Sequence, residues 1–229
     1  MNNQRSNFVH ENDPCLYLAH DLRAPLMSVK GLLDLMRNES GRENLEYYFG
    51  LLEQSVDNMN QSITDILTKL KNERVEMQPQ EVDFKKIAEE AIQSLHYMAG
   101  AESLKIILAV DEHGPFFSDH NSLFSIFSNL LSNAIRYRDK NKDSFLKIDV
   151  TVTRKGAMAI FQDNGIGIDE ASHARVFDKF FRVNHEYGGS GLGLTIVKTS
   201  LDKIGGNIRI QSRIGEGTTF FLQIPNLLF

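Results

Sequence analysis

The chain has 229 residues, 41% of them hydrophobic and 24% charged, enough for one large domain or two modest ones and too apolar for wholesale disorder. A net charge of −5 with acids and bases interspersed argues against a broad basic face for nucleic acid, while leaving room for a local patch. No apolar run is long enough for a transmembrane helix, the N-terminus lacks a signal-peptide core, and the single cysteine, Cys15, allows neither an internal disulfide nor a CxxC zinc pattern, so a cytoplasmic, reducing setting is expected.

Residues 1–12 are polar and aperiodic and read as a loose tail. From residue 13 a heptad seam begins, with Ala19, Leu22, Leu26, Val29, Leu33 and Met36 at alternating three- and four-residue steps. The stretch RNESGREN breaks it, Gly41 suiting a turn. A longer seam follows through Leu45, Phe49, Leu52, Val56, Met59, Ile63, Ile66 and Leu70. Two heptad helices joined by a short polar loop predict an antiparallel hairpin over residues 13–76. Each helix has one apolar stripe and little else to cover it, so two copies are expected to close a homodimeric four-helix bundle.

Pro79 ends the helical region, and residues 77–229 read as a mixed domain. EVDFKKIAEEAIQSL predicts an amphipathic helix with Phe84, Ile87, Ala91 and Leu95 on its apolar face. KIILAV predicts a buried strand. DHNSLFSIFSNLLSNAIRY predicts a second helix, apolar at Leu123, Ile126, Phe127, Leu130 and Leu131. LKIDVTVTRKGAMAIFQDNG predicts two strands around a turn at Lys155-Gly156. A helix end, a Gly-Gly break and two further strands complete the chain. Helices beside a mostly antiparallel sheet make an α/β sandwich, so the whole is α+β.

Three glycine clusters punctuate this domain: Asp163-Asn164-Gly165-Ile166-Gly167-Ile168 after a predicted strand, Gly188 to Leu194 leading into a helix, and Gly215-Glu216-Gly217-Thr218. Each alone fits either a plain turn or a loop that approaches a ligand closely. A glycine run opening a helix can also present N–H groups to phosphate. Neither a Rossmann fingerprint nor a Walker loop is present. Asn129 and Asn133, four residues apart, share a helix face other than that of Leu130 and Leu131. They read as metal or phosphate ligands, or as solvated residues.

Taken in order, the asparagine helix, DNGIGI, VFDKFFR, GGSGLGL and GEGTTF resemble the ATP-binding domain of sensor histidine kinases, whose fold is shared with the gyrase, MutL and heat-shock chaperone ATPases. Upstream, LAHDLRAPL (Leu18 to Leu26) resembles the phosphoacceptor motif of the same kinases. The resemblance implies His20 as phosphoacceptor and Asp21 as its acid/base neighbour. It implies Asn133 as holder of Mg²⁺ on the ATP phosphates with Asn129 close by, and Arg136 and Tyr137 lining the nucleotide site. Asp163 is implied as acceptor of the adenine amino group, with Gly165 and Gly167 shaping the floor and Thr218 supporting the pocket. Gly189, Gly191, Leu192 and Gly193 are implied around the phosphates at the end of a mobile lid, with Phe177, Phe180 and Phe181 anchoring its start. It further implies ATP and Mg²⁺ as cofactors and a response-regulator receiver aspartate as onward acceptor, docking near Arg23, Met27 and Lys30.

The residues themselves agree with these roles. His20 falls just beside the heptad seam, followed by an acid and, at Pro25, by a proline that removes a helix hydrogen bond at a cost of about 3 kcal/mol. A local bend next to the histidine is expected. The alternative is a helix that begins near Ala24, with Pro25 in its first turn. The lid stretch VNHEYG is short, which predicts weak nucleotide affinity. Ala24 stands four residues after His20, where many family members carry threonine or asparagine to orient water, so weak or absent phosphatase activity is expected. No sensor or receiver domain is visible, and the signal input is expected in a separate protein or another part of a longer chain. Two competing readings are a non-catalytic dimeric scaffold and an ATPase of the related fold. The intact Asn133, Asp163 and glycine clusters speak against the first. The absence of a glutamate near the asparagine helix, where Asn129 stands instead, speaks against the second.

Overall fold

The computed structural model describes residues 14–37, 44–52, isolated positions between 55 and 63, and residues 77–179, 181–183 and 191–228, with side chains from residue 26 onward. The chain divides into two compact units, Met1–Leu67 and Thr68–Phe229. No helix among the described residues is long and apolar enough to cross a membrane.

In the first unit, α1 spans Pro14–Arg37. Proline opens it, where a missing N–H costs nothing, and the helix runs through Pro25 rather than starting beside it. A second helix, α2, is described over residues 44–52. The hydroxyls of Ser28 and Ser55 lie 3.5 Å apart, which sets the two helices side by side as a hairpin. Each heptad seam splits in two. Val29, Met36, Leu45, Leu52 and Met59 are half-buried. The intervening Leu26, Leu33, Phe49, Val56 and Ile63 remain 37% to 56% exposed. One member of each pair of seam positions is thus covered within the hairpin, and the other is left bare.

The second unit is a two-layer sandwich. Its strands are β1 (Pro79–Glu81), β2 (Lys105–Glu112), β3 (Phe117–Asp119), β4 (Phe145–Thr153), β5 (Gly156–Asp163), β6 (Asn207–Arg213) and β7 (Gly217–Pro225). Five form one sheet in the order β2-β4-β5-β7-β6, in which only the β2–β4 pairing is parallel; β1 and β3 pair separately. Its α-helices are α3 (Phe84–Ser94), α4 (His120–Arg136) and α5 (Gly193–Lys203). Strand alternation sends Leu146, Ile148, Val150 and Val152 of β4, Ala159 and Phe161 of β5, and Leu222 and Ile224 of β7 into the core against these helices. Phe127 of α4 meets Phe161 edge-on at 4.9 Å and Phe84 of α3 at 6.2 Å, so α4 is the central helix of its layer.

The predicted apolar faces of α3 and α4 are buried at every named position. α3 begins only at Phe84, because Asp83 caps it by accepting the Lys86 N–H at 3.1 Å and Glu81 belongs to β1. The loop between β4 and β5 is Arg154-Lys155 rather than Lys155-Gly156, since Gly156 already pairs with Thr153. α4 is capped by Asp119, whose carboxylate accepts the Ser122 N–H at 2.8 Å and the Ser122 hydroxyl at 2.7 Å. At the far end of the chain, buried Asn226 closes the sandwich. It accepts the Phe117 N–H at 3.0 Å and donates to the carbonyls of Pro115 and Arg154, each at 3.1 Å.

Candidate functional site

A cavity opens between α4, the end of β5, the start of β7 and the segment before α5. Ile166, Ile168, Val176, Leu194 and Phe220 give it apolar walls; Asn133, Asp163, Arg182 and Thr218 bring polar groups to it. An apolar slot with a few convergent polar groups is the usual form of a small-molecule site.

Asp163 ends β5 and is fixed by backbone. Its Oδ1 accepts the Gly165 N–H at 2.8 Å and the Thr218 N–H at 3.1 Å. Burial pushes its carboxyl above the ordinary carboxylate range, against the opposing pull of those two N–H groups. Both bonds fall on one oxygen, so Oδ2 is left to accept from a ligand.

The loop after Asp163 is clamped from two sides. The Ile166 N–H donates to the Tyr137 carbonyl at 3.0 Å, and the Ile166 carbonyl accepts the Gly215 N–H at 2.8 Å. The glycines follow from these approaches. A Cβ at Gly165 would overlap the Tyr137 carbonyl oxygen; one at Gly167, whose φ is +71°, would overlap that of Arg213. Lys142 reinforces the clamp, its ammonium donating to the Gly215 carbonyl at 2.6 Å.

Asn129 and Asn133 face the start of α5. The Asn129 amide nitrogen donates back to the Ser125 carbonyl at 2.8 Å, which directs its oxygen outward. A Cβ at Gly193 would stand 3.1 Å from that oxygen and 3.7 Å from the Asn133 oxygen. Gly191 (φ +71°) and Leu192 lead into α5, whose N-cap Leu192 supplies no side-chain cap hydrogen bond. Arg136 ends α4 and Tyr137 is its C-cap; of the two, Tyr137 lines the cavity. The Asn133 carbonyl accepts the Tyr137 N–H at 2.9 Å, while its side chain makes no hydrogen bond among the described residues, so its amide oxygen is available to a hard cation.

Of the three phenylalanines before α5, Phe177 and Phe181 are described. Phe177 packs on the core, its carbonyl accepting the Thr195 hydroxyl at 3.1 Å. Phe181 lines the cavity under the Arg175 guanidinium, 4.4 Å from its ring centre. Phe180, Gly189 and the lid residues 184–190 lie outside the described residues. His20, Asp21 and Ala24 belong to α1, with their side chains outside the described residues.

Sequence reasoning missed Ser212. Its hydroxyl lies 2.9 Å from that of Thr218 and accepts the Ile168 N–H at 2.8 Å, tying β6 to the cavity floor. The one signal was its placement on a strand, on the face that the alternation of Ile208 and Ile210 marks as covered.

Two family models match this chain. One, described as histidine kinase-, DNA gyrase B- and HSP90-like ATPase, matches residues 118–227. The other, the His Kinase A (phospho-acceptor) domain, matches residues 16–74. Among curated relatives, the sensor histidine kinase YcbM of Bacillus subtilis (strain 168) is 30% identical over 93% of this chain and 70% of its own length. The circadian input-output histidine kinase CikA of Synechococcus elongatus is 32% identical over 91% of this chain but only 29% of its own length. The chain spans less than a third of most such relatives. In fold, it is similar to the Acinetobacter baumannii histidine kinase AdeS, with a TM-score of 0.67 at 22% identity over 90% of this chain and 98% of that one. It is also similar to the histidine kinase ThkA crystallised with the response regulator protein TrrA, with a TM-score of 0.68 at 18% identity over 93% of this chain and 60% of that one.

Proposed function

The chain belongs to the sensor histidine kinases, and from that premise we propose that it binds ATP in the cavity around Asp163, phosphorylates its own His20, and passes the phosphoryl group to an aspartate of a response-regulator receiver domain. The observation that carries this reading is the convergence on one cavity of a backbone-fixed carboxylate, Asp163, and the amide of Asn133, which with Asn129 faces Gly193 at the start of α5. These two ends match the two ends of a nucleotide. A base with an exocyclic amine donates to Asp163 Oδ2, flanked by Thr218 and the Gly165–Gly167 floor. Phosphates fall near Asn129, Asn133 and Arg136 and near Gly191, Leu192 and Gly193, with Gly189 on the lid. Tyr137 borders the cavity between them.

His20 supplies the nucleophile. One neutral ring nitrogen attacks the γ-phosphorus, the bond between that phosphorus and the β–γ bridging oxygen breaks, and ADP leaves. The other ring nitrogen loses its proton to Asp21, which also stabilises the positive charge as it develops. An unperturbed imidazole, with a pKa of about 6.5, is mostly neutral near pH 7, the form this attack requires. Mg²⁺ fits the oxygen of Asn133, a hard neutral ligand suited to an ion that takes most of its remaining ligands from phosphate and water, and bound there it would neutralise phosphate charge.

The bare seam residues Leu26, Leu33, Phe49, Val56 and Ile63 support a homodimer, because a second hairpin presenting the same stripe covers them. Ala24 supports weak phosphatase activity. Rapid dephosphorylation of a phosphorylated receiver domain by this protein would refute that part.

The test is incubation with Mg²⁺ and γ-labelled ATP beside His20→Gln and Asn133→Ala. Protein-bound label that is lost in acid, survives base and vanishes in both variants is expected. Free phosphate without protein label would instead indicate an ATPase, and neither product a scaffold.

A further inference from the structure

Ser212 has a hydroxyl with every hydrogen-bonding position taken. It is buried on β6 and has three partners: the Gly217 carbonyl at 2.7 Å, the Ile168 N–H at 2.8 Å and the Thr218 hydroxyl at 2.9 Å. A hydroxyl has one proton and two lone pairs. A carbonyl can only accept, so the Ser212 proton goes to Gly217. An amide N–H can only donate, so Ile168 takes one lone pair. The third contact is then settled: Thr218 must donate its proton to the remaining lone pair of Ser212.

The consequence falls on the cavity, which Thr218 lines. With its proton committed backward, the Thr218 hydroxyl can offer a ligand only lone pairs. Asp163 likewise offers only an acceptor, its Oδ1 being occupied by the Gly165 and Thr218 N–H groups. The polar side chains at this end of the cavity therefore accept and do not donate. We propose that Ser212 is a positioning residue for base selection: by consuming the Thr218 proton it keeps the pocket acceptor-only, favouring a purine with an amino group at position 6 over one with an oxo group there. The assignment rests on the nucleotide reading above. A 6-oxo oxygen would meet two acceptors and no donor. Without Ser212, the Thr218 hydroxyl can turn its proton into the cavity and donate to that oxygen.

The experiment measures dissociation constants for ATP and for ITP, its 6-oxo analogue, by calorimetry on the full chain. Ser212→Ala is expected to shift the ATP-to-ITP preference about tenfold toward ITP, the worth of roughly one hydrogen bond gained by the wrong base. Ser212→Thr, which keeps a hydroxyl on the strand, is expected to retain the wild-type preference. An unchanged ratio in Ser212→Ala overturns the proposal, because a residue that merely supports the fold would weaken both nucleotides together. If Ser212→Ala shows no cooperative melting transition, Thr218→Val decides. Removing the acceptor hydroxyl must also move the ratio toward ITP, and no change there is equally fatal. A wild-type chain that binds no ATP refutes the nucleotide reading itself, a result distinct from an unchanged ratio, and takes the Ser212 assignment with it.

Discussion

Replacing Asp163 by asparagine changes one atom's chemistry while leaving the surrounding backbone bonds in place. Two N–H groups, those of Gly165 and Thr218, converge on Oδ1. In Asp163→Asn the amide must keep its oxygen there, because a flipped amide would set its NH₂ against two donors. The NH₂ is therefore forced to the Oδ2 position, where an adenine amino group also brings a donor. The variant loses a hydrogen bond to a charged acceptor, worth about 1.5–3 kcal/mol, and so roughly 10- to 150-fold in ATP affinity. Thermal melting should stay cooperative, since the two backbone bonds survive. Calorimetric titration with ATP reads the loss. The pH profile gives a second, independent signature. Burial raises the Asp163 pKa, so wild-type affinity should fall as pH drops through a value above the usual carboxylate figure of about 3.9, and the asparagine variant should lack that limb. Near-wild-type ATP binding by Asp163→Asn at neutral pH would refute the placement of the base.

Three further outcomes are expected. Gly167→Ala puts a Cβ against the Arg213 carbonyl at a φ of +71°, a conformation that alone costs about 1–2 kcal/mol, so ATP binding should fall sharply while the far-ultraviolet dichroism is kept. A double Leu33→Glu, Phe49→Glu variant places charge on the bare seam, and light scattering should report monomers at concentrations where the wild type is dimeric. Asp119 is held below its ordinary pKa: burial, the largest effect, raises it, but bonds from the Ser122 hydroxyl, the Ser122 N–H and the Gln78 N–H, with the Lys203 charge, outweigh it. Its contribution is full above about pH 3.9 and fades as pH falls through the depressed folded value. Asp119→Ala should therefore cost about 1–2 kcal/mol in urea melts at pH 7, and the deficit should shrink in acid.

What the sequence made legible was whatever repeats with a period. The heptad seams gave the hairpin, alternation gave β4, β5 and β7, and three- and four-residue spacing gave the apolar faces of α3 and α4. Strands β1 and β3 escaped because three residues are too few to show a period, and because their pairing joins segments far apart in the chain. At the candidate site, Asp163 and the glycines stood out because glycine clusters are conspicuous. Why they are glycines was not legible, since the Tyr137 and Arg213 carbonyls that exclude a Cβ come from other elements. Ser212 was invisible for the opposite reason: a serine on a strand looks ordinary until the groups around its hydroxyl are counted. The split of each seam into covered and bare positions likewise depends on how the two helices are rotated against each other, which spacing alone does not give.

The side chain of Asn226 reaches back 109 residues to the Phe117 amide and 111 to the Pro115 carbonyl. A polypeptide emerging from the ribosome at about 5–20 residues per second makes the β3 corner many seconds before the asparagine that locks it. Until then, backbone groups of that corner and of the β4–β5 loop await the Asn226 side chain that bonds them in the finished fold. Helices whose contacts are local can form early, whereas this latch across the sandwich waits for Asn226 to be made.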